Sequence, residues 1–197
     1  MSLAFGAHVS VSGGVDTAFA RGERFAMDAI QIFTKNQRQW VAKPLGDDEV
    51  ERWYEERGRT GINKVISHAS YLINLASPKD DLRQKSIAAF KDELERCETL
   101  GITGLVIHPG SHTGSGEEAG LAAVAESLNR VHEELPHLRV QTLLETTAGQ
   151  GTNLGRTFEE LAAIINDPNV YLYVLYVDGA PGGMAEIDAR KNDIHEL

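Results

Sequence analysis

The chain has 197 residues, 42% of them hydrophobic, and a formal net charge of -10. That length suits a single domain with a sizeable core. The acidic balance argues against a nucleic-acid binder held by a broad basic surface. No stretch approaches the roughly 18 apolar residues of a membrane span, so no membrane partner is expected. The start, Met1-Ser-Leu-Ala-Phe-Gly, lacks a secretory pattern, and the single Cys97 cannot form an internal disulfide. Both fit a reducing cytoplasm.

The charge is uneven. Residues 1–43 hold five Lys/Arg against three Asp/Glu, and the remainder holds 14 against 26. A locally basic segment can still meet phosphates in an acidic protein.

Apolar runs and helical stripes alternate along the chain, the pattern of an α/β fold with parallel strands. Strands are predicted near 4–9, 28–33, 64–68, 103–108, 139–145 and 170–177. Helices are predicted near 15–26, 47–60, 79–100, 117–134 and 157–166. In the third helix, Ile87, Phe90, Leu94 and Cys97 share one stripe, which makes Cys97 a packing residue and its charged residues a solvated face. Ser77 or Ser86 is expected to cap or punctuate that helix, next to Pro78. Thr157-Phe-Glu-Glu resembles a capping signal. About six parallel strands and five helices make a partial (β/α)8 TIM barrel, since the closed fold needs eight units. Residues 1–169 read as the barrel portion. Residues 170–197 read as a divergent tail with a sixth strand.

Three strands deliver a polar residue at their C-terminal ends, where barrels carry their chemistry. Lys64-Val-Ile-Ser leads to His68, Gly104-Leu-Val-Ile to His108, and Val140-Gln-Thr-Leu-Leu to Glu145. Two imidazoles and a carboxylate form a ligand set for zinc or a similar divalent ion. A lone histidine at such a place is more often a hydrogen-bonded core residue, and Glu145 has a competing reading as an ion-pair partner of Arg156 or a lysine. The coincidence of three favours the metal. Small residues in His108-Pro-Gly-Ser-His112-Thr-Gly-Ser-Gly leave room for a substrate; His112 reads either as lining the site or, the more favoured reading, as an exposed loop histidine. The segment 34–44, Thr-Lys-Asn-Gln-Arg-Gln-Trp-Val-Ala-Lys-Pro, offers three cations, amides and a Trp that suit phosphates and bases, with Lys35 and Lys43 as phosphate contacts, although as an isolated string it reads better as a bland surface loop. Gly6-Ala-His8-Val-Ser-Val-Ser-Gly-Gly lacks the glycine spacing of a dinucleotide site, so no nucleotide cofactor is expected. His8 reads equally as mouth or packing.

GAHVSVSGGV, QIFTKNQRQW, HASYLINLASP, ELERCETLGI, HPGSHTGSGEE and ETTAGQGTNLG, in this order, resemble the endonuclease IV family of metal-dependent apurinic/apyrimidinic endonucleases over about residues 5–168. The resemblance implies a xylose isomerase-like TIM barrel that cleaves double-stranded DNA 5′ to abasic sites, with three zinc ions. It implies that His68, His108 and Glu145 are metal ligands, Glu145 also serving catalysis by bridging two ions. It implies that Arg38 and Tyr71 enter the DNA at the lesion.

After about Asn169 the chain departs from the family pattern. Asp178 falls where an Asp-Thr-Cys-His motif would begin, but Pro181 takes the place of its histidine. The expectation is a truncated or frameshifted member, retaining ligands for about one ion and impaired in activity. Two alternatives stand beside it: a metal-dependent sugar isomerase or epimerase of similar barrel fold, and an inactive DNA-binding remnant. The segment 34–44 discriminates, because a small-sugar enzyme needs no basic, Trp-bearing loop. An open sheet and the apolar run Tyr171–Val177 further predict low solubility or oligomers.

Overall fold

The computed structural model describes residues 4–165 and 170–171. Six strands alternate with five helices: β1 (Gly6–His8), α1 (Thr17–Glu23), β2 (Ala29–Ile32), α2 (Asp47–Thr60), β3 (Lys64–His68), α3 (Asp80–Thr99), β4 (Gly104–Ile107), α4 (Glu117–Glu134), β5 (Gln141–Leu144), α5 (Phe158–Ile164) and β6 (Val170–Tyr171). The strands form one sheet in the order β1-β2-β3-β4-β5-β6. Pairing is parallel from β1 through β3 and again between β5 and β6. Strand followed by helix, with neighbours in chain order, is the winding of a (β/α) barrel. Every predicted element is present. The remainder of the predicted sixth strand, Asp178 and the tail lie outside the described residues.

Among the described residues the chain makes two compact units. One is drawn from within 1–72, 92–105 and 138–140, the other from within 73–91, 106–137 and 141–197. In the first, Phe19 packs on Trp53 with ring centroids 4.5 Å apart, and the Trp53 indole N–H donates to the Leu100 carbonyl at 2.8 Å. The buried donor is thereby satisfied while its ring fills the core. Helix α2 begins with Asp47, Asp48 and Glu49 and ends with Arg57 and Arg59, in the sense its dipole favours. Strand β1 is exposed along its whole length and stands at one end of the sheet order among the described residues.

In the second unit, α4 buries Val124, Leu128 and Val131 at helical spacing. The Thr157 hydroxyl accepts from the Glu160 N–H, so the capping signal before α5 is real. Glu160, itself buried, accepts from the Gly155 and Arg156 backbone N–H groups and from the Arg156 guanidinium. That carboxylate closes the loop that begins at Glu145.

Helix α3 buries Ile87, Phe90, Leu94 and Cys97 as its stripe requires, and burial pushes the Cys97 thiol up out of the reactive range. Its charged residues are not all a solvated face, however. Glu93 and Arg96 are buried, because each has a backbone or side-chain partner that a sequence pattern does not show. Ser77 punctuates the start by accepting from the Lys79 N–H. Ser86 does not cap; it accepts from the Asn74 N–H and donates to the Leu82 carbonyl.

Candidate metal centre

His68 ends β3 after Val65 and Ser67, both buried; His108 follows the four buried residues of β4; Glu145 follows Leu144 of β5. The Glu145 N–H donates to the Ile107 carbonyl at 3.0 Å, which brings Glu145 level with the residue before His108. Apolar strands carry these polar ends because a polar group inside the sheet would be costly to desolvate.

One nitrogen or oxygen from each of His68, His108 and Glu145 lies within 4.8 Å of the other two. His68 is buried; His108 and Glu145 are half-buried. His108 Nε2 stands 3.7 Å from Glu145 Oε2. Donors sharing one zinc-like ion sit about 2.0–2.2 Å from it, hence roughly 3.4 Å from each other at tetrahedral angles. The observed spacing suits a shared ion better than a hydrogen bond, which would close to about 3 Å.

The tautomer of His68 agrees. Its Nδ1 lies 2.7 Å from the Ala69 carbonyl oxygen, which can only accept. Nδ1 therefore carries the proton, and in the neutral ring Nε2 carries the lone pair a metal ligand needs. Two imidazoles and a carboxylate so arranged can hold a divalent ion. Arg156, the competing partner for Glu145, instead pairs with Glu160 and Glu117.

Around His68 lies an aromatic group that the sequence reading named only in part. The Phe33 ring is 5.7 Å from both His68 and Tyr71, Tyr71 is 5.1 Å from His68, and His8 sits 4.5 Å from Phe33. Tyr71 is 64% exposed, an aromatic face turned to solvent beside a metal-ligating type of side chain. His8 is exposed, with Nδ1 3.1 Å from Gln31 Oε1. Phe33 is hidden in the sequence by its position inside an apolar run, where it reads as core.

The segment 34–44 is not the free basic loop its composition suggests. Arg38 and Lys43 are exposed, but Lys35 is buried, its ammonium 2.6 Å from Asp92 and 3.5 Å from Glu93. Lys35 is thus no phosphate contact. Two acids from α3 outbid solvent for its charge. Burial pushes the Glu93 carboxyl up from its ordinary range, an effect that outweighs the opposing pull of Lys35, whose ammonium lies closer to Asp92. His112 is a loop histidine, half-buried rather than exposed, and its Nδ1 accepts from the Gly114 and Gly116 N–H groups and shapes their turn. No helix of the described residues is long and apolar enough to cross a membrane.

Residues 19–170 match the family described as xylose isomerase-like TIM barrel. A protein named probable endonuclease 4 from Chloroflexus aggregans is 59% identical over 160 residues, which are 81% of this chain and 56% of that one. The crystal structure of endonuclease IV from Thermus thermophilus aligns with a TM-score of 0.77 at 32% identity, covering 87% of this chain and 62% of that one. A D-psicose 3-epimerase from Clostridium cellulolyticum H10 aligns with a TM-score of 0.66 at 18% identity over 87% of this chain and 63% of that one, a likeness of fold alone. The chain thus spans little more than half the length of the curated relative it matches.

Proposed function

We propose, since the chain belongs to the xylose isomerase-like TIM barrel family in its endonuclease IV branch, that it is a zinc-dependent DNA repair endonuclease acting 5′ to abasic sites. The observation that carries this reading is the convergence of His68, His108 and Glu145 within 4.8 Å, with the exposed Tyr71 ring 5.1 Å from His68. A metal ligand set beside an exposed aromatic suits a substrate that is both phosphorylated and missing a base.

In this reading His68, His108 and Glu145 hold the ion through two imidazole nitrogens and a carboxylate oxygen. When bound, such an ion supplies an activated water and stabilises charge on the phosphoryl oxygens. The chain's own residues do the rest. The Ala69 carbonyl keeps the His68 ring in the ligating tautomer. Arg38 and Tyr71 enter the duplex at the lesion, Tyr71 stacking where a base is missing. Flipping an abasic nucleotide costs less than flipping a paired one, so a wedge and one cation suffice there. With a net charge of -10 the protein depends on such local contacts for DNA affinity.

The test is incubation with a duplex carrying one abasic site, with and without chelator. A nick 5′ to the site that chelator abolishes and added zinc restores supports the reading. Turnover of xylose or tagatose without any nick would move the chain to the sugar isomerases and epimerases; chelator-insensitive binding without cleavage would make it a DNA-binding remnant.

A further inference from the structure

Arg38 and Tyr71 stand on two different loops, and a single serine joins them. Ser70 is buried and immediately precedes Tyr71. Its Oγ donates to the carbonyl of Gln37, the residue before Arg38, at 2.7 Å. The same Oγ accepts from the Leu72 N–H at 3.3 Å, closing the turn that presents Tyr71. On its other side the Ser70 N–H donates to the buried Glu93 carboxylate at 3.1 Å. Glu93 also faces the Lys35 ammonium, which sits three residues before Arg38.

The Arg38 loop is held at its ends as well. Arg96 donates through Nε and Nη2 to the Thr34 carbonyl and through Nη1 to the Lys43 carbonyl. One guanidinium thus spans both ends of segment 34–43, with Ser70 fixing its middle. A planar fork of donors is suited to gripping two carbonyls at once. Buried donors and acceptors on this side of α3 therefore serve the two loops rather than the helix.

We infer that Ser70 is a positioning residue that couples the loop bearing Arg38 to the turn bearing Tyr71, so that both reach a DNA lesion in one fixed arrangement. The inference rests on the DNA reading above. Fixing the two loops before binding spares their ordering entropy at the moment of contact, which appears as affinity rather than as a faster chemical step. The hydrogen bonds of Ser70 run to Gln37, Leu72 and Glu93 rather than to the three metal-ligand side chains, so its removal should leave metal content unchanged.

Ser70→Ala tests this. It removes the hydroxyl and keeps the backbone N–H on Glu93. Amide hydrogen exchange across 35–40 should quicken about five- to ten-fold, the scale of one net hydrogen bond, while β3 stays protected. KM for the abasic duplex should rise by a similar factor, with kcat and bound zinc unchanged. In an Arg38→Ala background the same substitution should add less than about two-fold, because coupled residues are not additive. Unchanged exchange across 35–40, a fall in kcat at constant KM, or full additivity with Arg38→Ala would overturn the inference. If the unsubstituted chain binds no abasic duplex, the function reading fails. Faster exchange in Ser70→Ala would then still establish the link between the loops, and unchanged exchange would remove both.

Discussion

The segment 34–43 and the loop 109–116 are both irregular, and they are fixed by opposite means. The first is held at its ends by ions, Lys35 between Asp92 and Glu93 and Arg96 across the carbonyls of Thr34 and Lys43, with the Ser70 hydroxyl as the neutral contact at its middle. The second is held by neutral groups. Asn74 exchanges two hydrogen bonds of 2.9 Å with the backbone of Ser111, in the manner of a strand partner, and the Ser111 hydroxyl meets that of Thr152 at 2.6 Å. Glycines take the left-handed conformations that let this loop turn, Gly110 among them at φ 105°. Neutral anchoring is insensitive to pH and tolerates loss of one contact; ionic anchoring in a buried place does not.

That contrast can be broken most forcefully at Lys35. Lys35→Met leaves the buried Glu93 carboxylate without its cation and should cost about 3–5 kcal/mol in urea unfolding. A loss under about 1 kcal/mol would show that the ions are not the anchor. Gly110→Ala comes next. Its Cβ would lie 2.3 Å from Asn74 Oδ1 at a φ that L residues avoid, and the strain should cost about 2–3 kcal/mol. If Gly110→Ala melts like the parent, the loop is not held as tightly as its bonds suggest. Asn74→Ala removes three backbone-directed bonds, two with Ser111 and one from the Ala76 N–H, and should cost about 2–3 kcal/mol, evenly across pH.

The smallest effect is the most diagnostic. Burial raises the Glu93 pKa above its ordinary 4.5, so the folded state binds this proton more tightly than the unfolded state. Between the two values the native protein carries more protons, and stability falls as pH rises through that window. The stability of the parent relative to Glu93→Gln should therefore decline as pH climbs from about 4.5 upward. A difference that grows with pH instead would mean that attraction to Lys35 dominates over burial.

These two loops also mark how far the sequence could be read. The strand ends were legible because an apolar run that stops at His68, His108 or Glu145 announces both a buried strand and a polar group at its mouth. Helix boundaries were legible from periodicity and from signals such as Thr157, whose hydroxyl does cap α5. Lys35 was not. A lysine in a basic string reads as a phosphate contact, and its partner Asp92 lies 57 positions away. For the same reason Glu93 and Arg96 pass as part of a solvated helix face. Ser70 sits between two residues of evident interest, yet a small hydroxyl residue in a turn carries no signal for the distant carbonyl it binds. Nothing local shows that Asn74 pairs with Ser111. What sequence pattern conveys is burial by period; what it conceals is which buried polar groups meet across the fold.

The central claim is that His68, His108 and Glu145 form one metal site. Its most direct test is the zinc retained after dialysis by the parent and by His68→Ala, His108→Ala and Glu145→Ala, each checked for a cooperative melt. The account predicts that the parent keeps zinc and that each of the three folded variants loses it to a similar degree, because an open site of three protein ligands rarely survives the loss of one. Zinc held equally by all four proteins, or absent from the parent, would contradict it.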